Sequence, residues 1–395
     1  MDALHAAFYQ HLAQTSPHPI ALDIVGAEGC YLHTRDGARY LDLVAGLAVN
    51  NTGHRHPKVV EAIKDQVDRY LHVIPYGEFI QAPQVLFAER LAGLLPMGLD
   101  SVYFVNSGTE ANEGAMKLAK RITGRTGLVA CHKSYHGSTH GSLSITGNEE
   151  KKYRSRPLLP DVRFITFNDL ADLRIIDHRT AAVVIEPIQG DAGVRVPDTE
   201  WIKALRARCT EVGAMLVFDE VQTGFGRTGK LFAFEHFGVV PDILVLGKAL
   251  GGGMPMGAFV ASSDHMQLLT NHPVLGHITT FGGHPLPCAA GLAALEVLLN
   301  EHLAENAAAM GALFKERLVH PAIREVRGMG LMLAVDLGDA DKVQRVVHHC
   351  LDHGVLGFWF LSCPTAFRIA PPLTIDRPEV EMACLTILDA VERTD

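Results

Sequence analysis

"DILVLGKALGGG", residues 242–253, runs four apolar residues into Gly247 and Lys248 and then reaches three consecutive glycines. A short apolar run bounded by glycine reads as a strand buried on both faces, the kind found in the middle of a parallel sheet. Lysine is among the side chains least often found in a core. A lysine at the end of such a strand therefore asks for a reason.

The same pattern recurs on both sides. "SVYFV" (101–105), "LVAC" (128–131), "VRFITF" (162–167), "AAVVIEP" (181–187), "AMLVFDE" (214–220) and "MGAFVAS" (256–262) are further short apolar runs. Between the first two, Ala111, Ala115, Leu118, Ala119 and Ile122 fall at helical spacing, and residues 201–212 carry a second helical pattern. This alternation predicts an α/β domain with a mostly parallel sheet over residues 49–288. The flanks differ. Residues 30–46 read as a hairpin turning at Arg35-Asp36-Gly37, residues 289–318 as one long helix, "GMGLMLAVDL" and "AFRIAPPLTI" as strands, and a closing helix begins at Glu379. The expected division is an N-terminal segment (1–48) that joins a C-terminal small α+β domain (289–395), with the large domain (49–288) between them.

Composition narrows the function. The 395 residues are 48% hydrophobic and 20% charged, as in a folded globular protein, and carry a net charge of −9. That balance, with no local run of lysine or arginine, excludes a polyanionic partner such as nucleic acid. No stretch reaches the ~20 apolar residues of a membrane helix, and the N-terminus lacks the basic start and apolar core of a signal peptide. Seven scattered cysteines without a CxxC pair suggest neither a disulfide framework nor a zinc site, so a reducing cytoplasm is expected.

Three features stand at the C-terminal ends of expected parallel strands, where open α/β sheets bind ligands. In "VNSGTEA" (105–111) a strand runs into Ser107-Gly108-Thr109 and a helix starts at once, which offers either an ordinary N-cap or a phosphate site. In "LVFDEVQTG" (216–224) Asp219 and Glu220 follow a buried strand, and either can bond a cofactor nitrogen or cap the next element. Lys248 is the third; a desolvated lysine loses basicity and becomes a nucleophile towards carbonyls. A phosphate cradle, a carboxylate for a pyridinium nitrogen and an imine-forming lysine are together what pyridoxal phosphate requires.

Six segments in order, "NSGTEANE", "EPIQGDAG", "DEVQTGFGRTG", "GKALGGGMP", "TTFGGHP" and "RIAPPL", resemble the class III pyridoxal-phosphate aminotransferases, near the acetylornithine and ornithine enzymes. The resemblance runs from about residue 31 to the C-terminus. It implies a fold-type I homodimer with shared active sites, and a small-molecule amino donor and keto acid as substrates. It further implies that Lys248 forms the internal aldimine and moves the proton, that Asp219 pairs with the pyridine nitrogen, and that Val221 and Tyr135 flank the ring. Gln222 would bond the phenolic oxygen, and Ser107, Gly108 and Thr109 would hold the phosphate with Thr280 from the partner subunit. His136 and Glu186 would complete the cofactor site, while Arg368, Asp191 and Ser138 would face the substrate.

Two other patterns compete. "GFGRTG" (224–229) fits the GxGxxG of a nicotinamide-dependent oxidoreductase, but Asp242 begins the next strand where that fingerprint needs an acid at its end. His132, His136 and His140 are spaced like metal ligands on a helix, but "HKSYHGSTHG" holds two glycines and turn formers. Within the class, a pyruvate/alanine transaminase and a racemase or aminomutase remain alternatives. The chain also departs from the acetylornithine and ornithine pattern. It has Ser138 where those enzymes usually carry a carboxylate-binding arginine, Asp191 where they have glutamate, and Leu47 where the ornithine enzymes have an aromatic residue. A glutamate-type substrate would then need another cation for its second carboxylate, with His72 or His140 as candidates; the expected reaction is transfer from an ω-amino donor of ornithine type to 2-oxoglutarate.

Overall fold

In the computed structural model, which describes residues 3–75 and 77–394, seven strands form the central sheet. They are β1 (Ser101–Val105), β2 (Gly127–Cys131), β3 (Val162–Ile165), β4 (Thr180–Ile185), β5 (Met215–Asp219), β6 (Ile243–Leu246) and β7 (Gly257–Ala261). Their spatial order is β1-β7-β6-β5-β4-β2-β3. Only β7 runs against the others, pairing antiparallel with β1 and β6. The sheet is thus mostly parallel, as its apolar runs predict.

Side chains that alternate along each strand feed two separate cores. Val183, Ile185, Leu216, Phe218, Leu244 and Leu246 face one; Ala182, Val184, Val217, Ile243 and Val245 face the other. Helices cover both faces, so no strand needs a polar side. Helix Gly108–Thr123 buries Ala111, Ala115, Leu118 and Ala119, the stripe read from sequence, and ends at Gly124, whose φ of 66° closes the last turn in the left-handed region. Burying a leucine such as Leu118 contributes roughly 1.5–3 kcal/mol over leaving it exposed.

The chain ends build two smaller sheets. Ile24–Glu28, Tyr31–Thr34 and Arg39–Asp42 form an antiparallel meander, and Val355–Leu356 joins its edge in parallel with Arg39–Asp42. Glu325–Met329, Met332–Asp336, Ala366–Ile369 and Phe358–Trp359 form the second, wholly antiparallel. The hairpin at Arg35-Asp36-Gly37 is present. The single helix expected over 289–318 is instead two, Pro285–Asn300 and Leu303–Arg317. His302 between them takes φ 52°, a conformation that no right-handed helix continues through. "GMGLMLAVDL" likewise splits into two strands that turn at Gly330, φ 53°.

"GFGRTG" serves this assembly. Arg227 is fully buried and donates to the carbonyls of Leu331 (3.0 Å) and Pro371 (2.6 Å) and to Asn51 Oδ1. One guanidinium thereby ties the loop after β5 to an early and two late segments. The glycines beside it, Gly226 and Gly229, sit at φ 84° and 93°, so they answer to the turn.

Candidate active site

The C-terminal ends of β5 and β6 and the N-terminus of helix Gly108–Thr123 enclose a cavity of about 510 Å³. Asp219, Val221, Gln222, Lys248, Ser107, Gly108, Thr109, Tyr135, His136, Ser138, Glu186 and Asp191 all line it, twelve of the fourteen residues that the resemblance assigns to the site.

The strand end at β5 separates two adjacent carboxylates. Asp219 faces the cavity. Its Oδ2 accepts from Asn112 Nδ2 at 2.8 Å and meets His136 Nδ1 at 2.7 Å, and its Oδ1 accepts from the N–H of Val221 at 3.1 Å. Glu220 points the other way, fully buried, and accepts from the N–H groups of Ala233 (2.7 Å) and Phe234 (2.8 Å) and from Thr223 Oγ1 (2.9 Å). Of this acid pair, Glu220 caps the next element and Asp219 is turned to the cavity. Burial pushes the Glu220 carboxyl up to about 7, against those three hydrogen bonds.

His136 and Asn112 orient Asp219. Burial disfavours a charged imidazole at position 136, but the hydrogen bond and the negative charge of Asp219 outweigh it and raise the pKa. The contact between His136 Nδ1 and Asp219 Oδ2 fixes where that carboxylate points. Asn112 also donates to the His136 carbonyl at 2.9 Å, so it locks both partners. Glu186 lies beneath them, accepting from the N–H groups of Tyr135 (3.2 Å) and Gly190 (3.1 Å), and burial pushes its carboxyl up to about 7.

Lys248 follows β6 in a left-handed conformation, φ 47°, which costs an L-residue roughly 1–2 kcal/mol. The strain is confined to a short turn, Lys248–Gly251, closed by Gly252 and Gly253 at φ 58° and 96°. Gly247 serves close packing: a Cβ there would come within 3.2 Å of Val221 Cγ1 and 3.3 Å of the Gly108 backbone. The lysine is partly buried and lines the cavity. Desolvation by the surrounding protein lowers its pKa to about 8, against the attraction of Asp219.

At the other end of the cavity, Ser107 caps its helix, Oγ accepting from the N–H of Glu110 at 3.3 Å. This capping does not preclude an anion, since the first N–H groups of a helix have no acceptor within it. Thr109 Oγ1 shares a hydroxyl cluster with Thr139 and Ser142. Gly108 is packed so closely that a Cβ would stand 2.8 Å from both methyls of Val221.

Two expected residues lie elsewhere. Arg368, on Ala366–Ile369, is not among the lining side chains; it is buried beside the cavity, over the Phe360 ring at 4.5 Å and 3.7 Å from Asp191. Its Nε has no hydrogen-bond partner, and burial lowers its pKa against the pull of Asp191. Thr280 is exposed and does not line this cavity. The candidate histidines are also placed apart. His72 is taken up between the rings of Phe281 and His284, at 5.0 and 5.3 Å, and His140 opens helix His140–Ile145; neither lines the cavity.

The arrangement fits pyridoxal phosphate. A buried carboxylate oriented by His136 and Asn112 suits a pyridinium nitrogen, the helix N-terminus suits a phosphate, and an amine of lowered pKa lies near the carboxylate. The family named Aminotransferase class-III matches residues 12–391. The chain belongs to the class III aminotransferases. It is a pyridoxal-phosphate-dependent transferase of fold type I. It is 42% identical to an acetylornithine aminotransferase of Methanopyrus kandleri over 99% of both chains. It is also 42% identical to one of Mycolicibacterium smegmatis over 94% of this chain and 93% of that one. A crystal structure of the ornithine aminotransferase from Toxoplasma gondii superposes with a TM-score of 0.91 at 31% identity, covering 99% of this chain and 94% of the other. Another structure of that enzyme holds PLP at partial occupancy in its active site.

Sequence reading missed Asn112, Ser362 and Lys151. Asn112 sits in the quoted "NSGTEANE", four residues after Gly108 and so on the same helix face, a signal that was available. Ser362 lies in a loop and Lys151 in a short 3₁₀ turn, and nothing in their local sequence points to the cavity.

Proposed function

We propose that this aminotransferase moves an amino group from an ω-amino donor of acetylornithine or ornithine type to 2-oxoglutarate. The observation that carries the reading is the buried guanidinium of Arg368, whose Nε has no hydrogen-bond partner and whose nearest carboxylate, Asp191, stands 3.7 Å away. A buried cation with a free donor face suits a carboxylate bound as a fork. The names of the 42%-identical relatives support the donor class.

Bound pyridoxal phosphate supplies the electron sink for the carbon that loses its proton. Lys248 Nζ would take up that proton and give it back, and its lowered pKa favours the neutral form that accepts one. Asp219, held in place by His136 and Asn112, would serve the ring nitrogen. Val221 and Tyr135 would hold the ring, with Gln222 serving its phenolic oxygen and Glu186 supporting the Tyr135 backbone. Ser107, Gly108 and Thr109 would hold the phosphate. Arg368 binds the substrate carboxylate, while Asp191 neutralises that arginine when the substrate end nearby carries no charge, and Ser138 supplies a hydroxyl near Tyr135.

Thr280 completes a phosphate site in a second copy of the chain, which makes the active enzyme a homodimer. Its exposure in the single chain supports this, as do exposed apolar residues at Leu71, Ile74, Phe79, Ile80, Val274 and Phe281. A cytoplasmic setting agrees with the buried free cysteines, and no helix among the described residues is long and apolar enough to cross a membrane.

The test is kcat/KM for 2-oxoglutarate against pyruvate with N-acetylornithine as fixed donor. The expected preference is for 2-oxoglutarate. A preference for pyruvate above ~100-fold, about 2.7 kcal/mol, leaves an alanine–pyruvate enzyme in its place.

A further inference from the structure

If the acceptor is a dicarboxylate, Arg368 satisfies one carboxylate and the other needs its own partner, because an unpaired buried carboxylate is costly. Ser138 offers a hydroxyl that is shared with Tyr135, Oγ to phenol oxygen 3.1 Å. Neither candidate histidine replaces the missing charge: His72 packs on Phe281 and His284, which do not line the cavity, His140 lies outside the lining, and His136, which lines it, is taken up by Asp219.

A lysine stands directly behind this corner, against the lining and not part of it. Lys151 closes the short 3₁₀ turn Glu149–Lys151 and is partly buried. Its Nζ is 2.7 Å from Asp191 Oδ2 and 4.8 Å from the centroid of the Tyr135 ring, so it touches two residues that line the cavity. An ammonium has three donors. Among the described residues its one hydrogen bond is to Asp191, which leaves two N–H groups for a ligand. Asp191 already accepts from Ser362 Oγ (2.7 Å) and from the N–H of Leu361 (3.3 Å), and faces Arg368 at 3.7 Å. One carboxylate therefore stands between two cations and fixes both at the same edge of the site.

We propose that Lys151 is the cation that recognises the second carboxylate of a short linear dicarboxylate substrate, with Asp191 as the counter-ion it shares with Arg368. The inference rests on the dicarboxylate reading above and names the residue that makes that reading possible. The neighbouring Lys152 is spent elsewhere: it is buried and donates to the Thr146 carbonyl at 2.9 Å. Lys151 is free of that structural duty.

The experiment is calorimetric binding of glutarate and of pentanoate to the holoenzyme. These probes share a chain length and differ by one carboxylate. Lys151→Met is expected to weaken glutarate at least about tenfold, the scale of one charged hydrogen bond, and to change pentanoate less than twofold. Lys151→Arg is expected to keep glutarate within a few-fold of the native protein. Pentanoate affinity also reports whether the site has kept its shape. If Lys151→Met leaves the glutarate-to-pentanoate ratio unchanged, by weakening both or neither, Lys151 only anchors its turn and the proposal is overturned. Steady-state kinetics separates the two ideas. A native preference for 2-oxoglutarate with that ratio unmoved keeps the function and rejects Lys151. A native preference for pyruvate with glutarate still dependent on Lys151 does the reverse.

Discussion

The two ends of the cavity are built differently. At the cofactor end, Asp219, His136 and Asn112 are buried and interlocked, and they arise from a strand end, a loop and a helix packed on the central sheet. At the carboxylate end, Lys151, Asp191, Ser362 and Arg368 come from a 3₁₀ turn, two loops and a strand of a different sheet. The first end is fixed by the same packing that makes the sheet. The second is assembled from parts that can change without disturbing it. A fold can therefore keep one chemistry while its substrate varies.

The largest effect belongs to the cofactor end. Lys248→Ala removes the only amine lining the cavity among the described residues. Turnover should fall by about 10³-fold or more, given that positioned acid–base groups contribute 10²–10⁴-fold. The absorbance band of lysine-linked cofactor should vanish with it. A variant that keeps native turnover removes Lys248 from the chemistry.

Asp219 and Glu220 sharpen the contrast within two consecutive residues. Asp219→Asn loses the charge opposite the ring nitrogen, and kcat should drop by about 10²–10³, the scale of one preorganised electrostatic partner. A fall below about tenfold, ~1.4 kcal/mol, assigns Asp219 a structural role. Glu220→Gln should do the opposite. Its amide turns N–H groups towards the N–H donors of Ala233 or Phe234, at a cost of roughly 1–3 kcal/mol in stability. The folded fraction should keep kcat within a few-fold, as thermal melts run beside steady-state rates would show.

Much of the first end was legible in the sequence because strand-end motifs are local. A strand running into a helix start drew attention to Ser107–Thr109, a buried strand end to Asp219, and an apolar run closed by glycines to Lys248. The sequence could not say which of Asp219 and Glu220 faces the cavity, since adjacent residues at a strand end take opposite sides and both sides are buried. The second end was largely hidden. Lys151 and Asp191 are forty residues apart, Asp191 and Ser362 one hundred and seventy-one, and no periodicity links them. The broken helix at His302 was hidden for a related reason: both halves are apolar enough to read as one.

A pH experiment probes the cofactor end with a smaller effect. The Lys248 pKa is lowered to about 8, so the neutral amine that captures the cofactor's aldehyde is the minor form below that pH and the major form above it. Capture of pyridoxal phosphate by the apoprotein should therefore quicken by about tenfold per pH unit up to pH ~8 and level off beyond. An ordinary lysine would continue to ~10.4. Stopped-flow absorbance from pH 6 to 10 distinguishes the two. A plateau delayed to pH 10 would mean that the solvated cavity, not the protein wall, sets the environment of Nζ.

The smallest expected change lies at the carboxylate end. Ser362 donates to Asp191 Oδ2 at 2.7 Å and accepts from Asn148 Nδ2 at 3.0 Å. It thus ties Asp191 to the segment that leads into the Lys151 turn. Ser362→Ala removes one neutral-donor bond to a carboxylate that keeps its Lys151 partner, so Asp191 is loosened and not released. A net hydrogen bond contributes about 0.5–1.5 kcal/mol, which predicts a two- to tenfold rise in KM for the keto acid with kcat unchanged. The split matters more than its size. If kcat falls while KM holds, Ser362 acts on the proton-transfer end, and the separation between the two ends of the cavity fails.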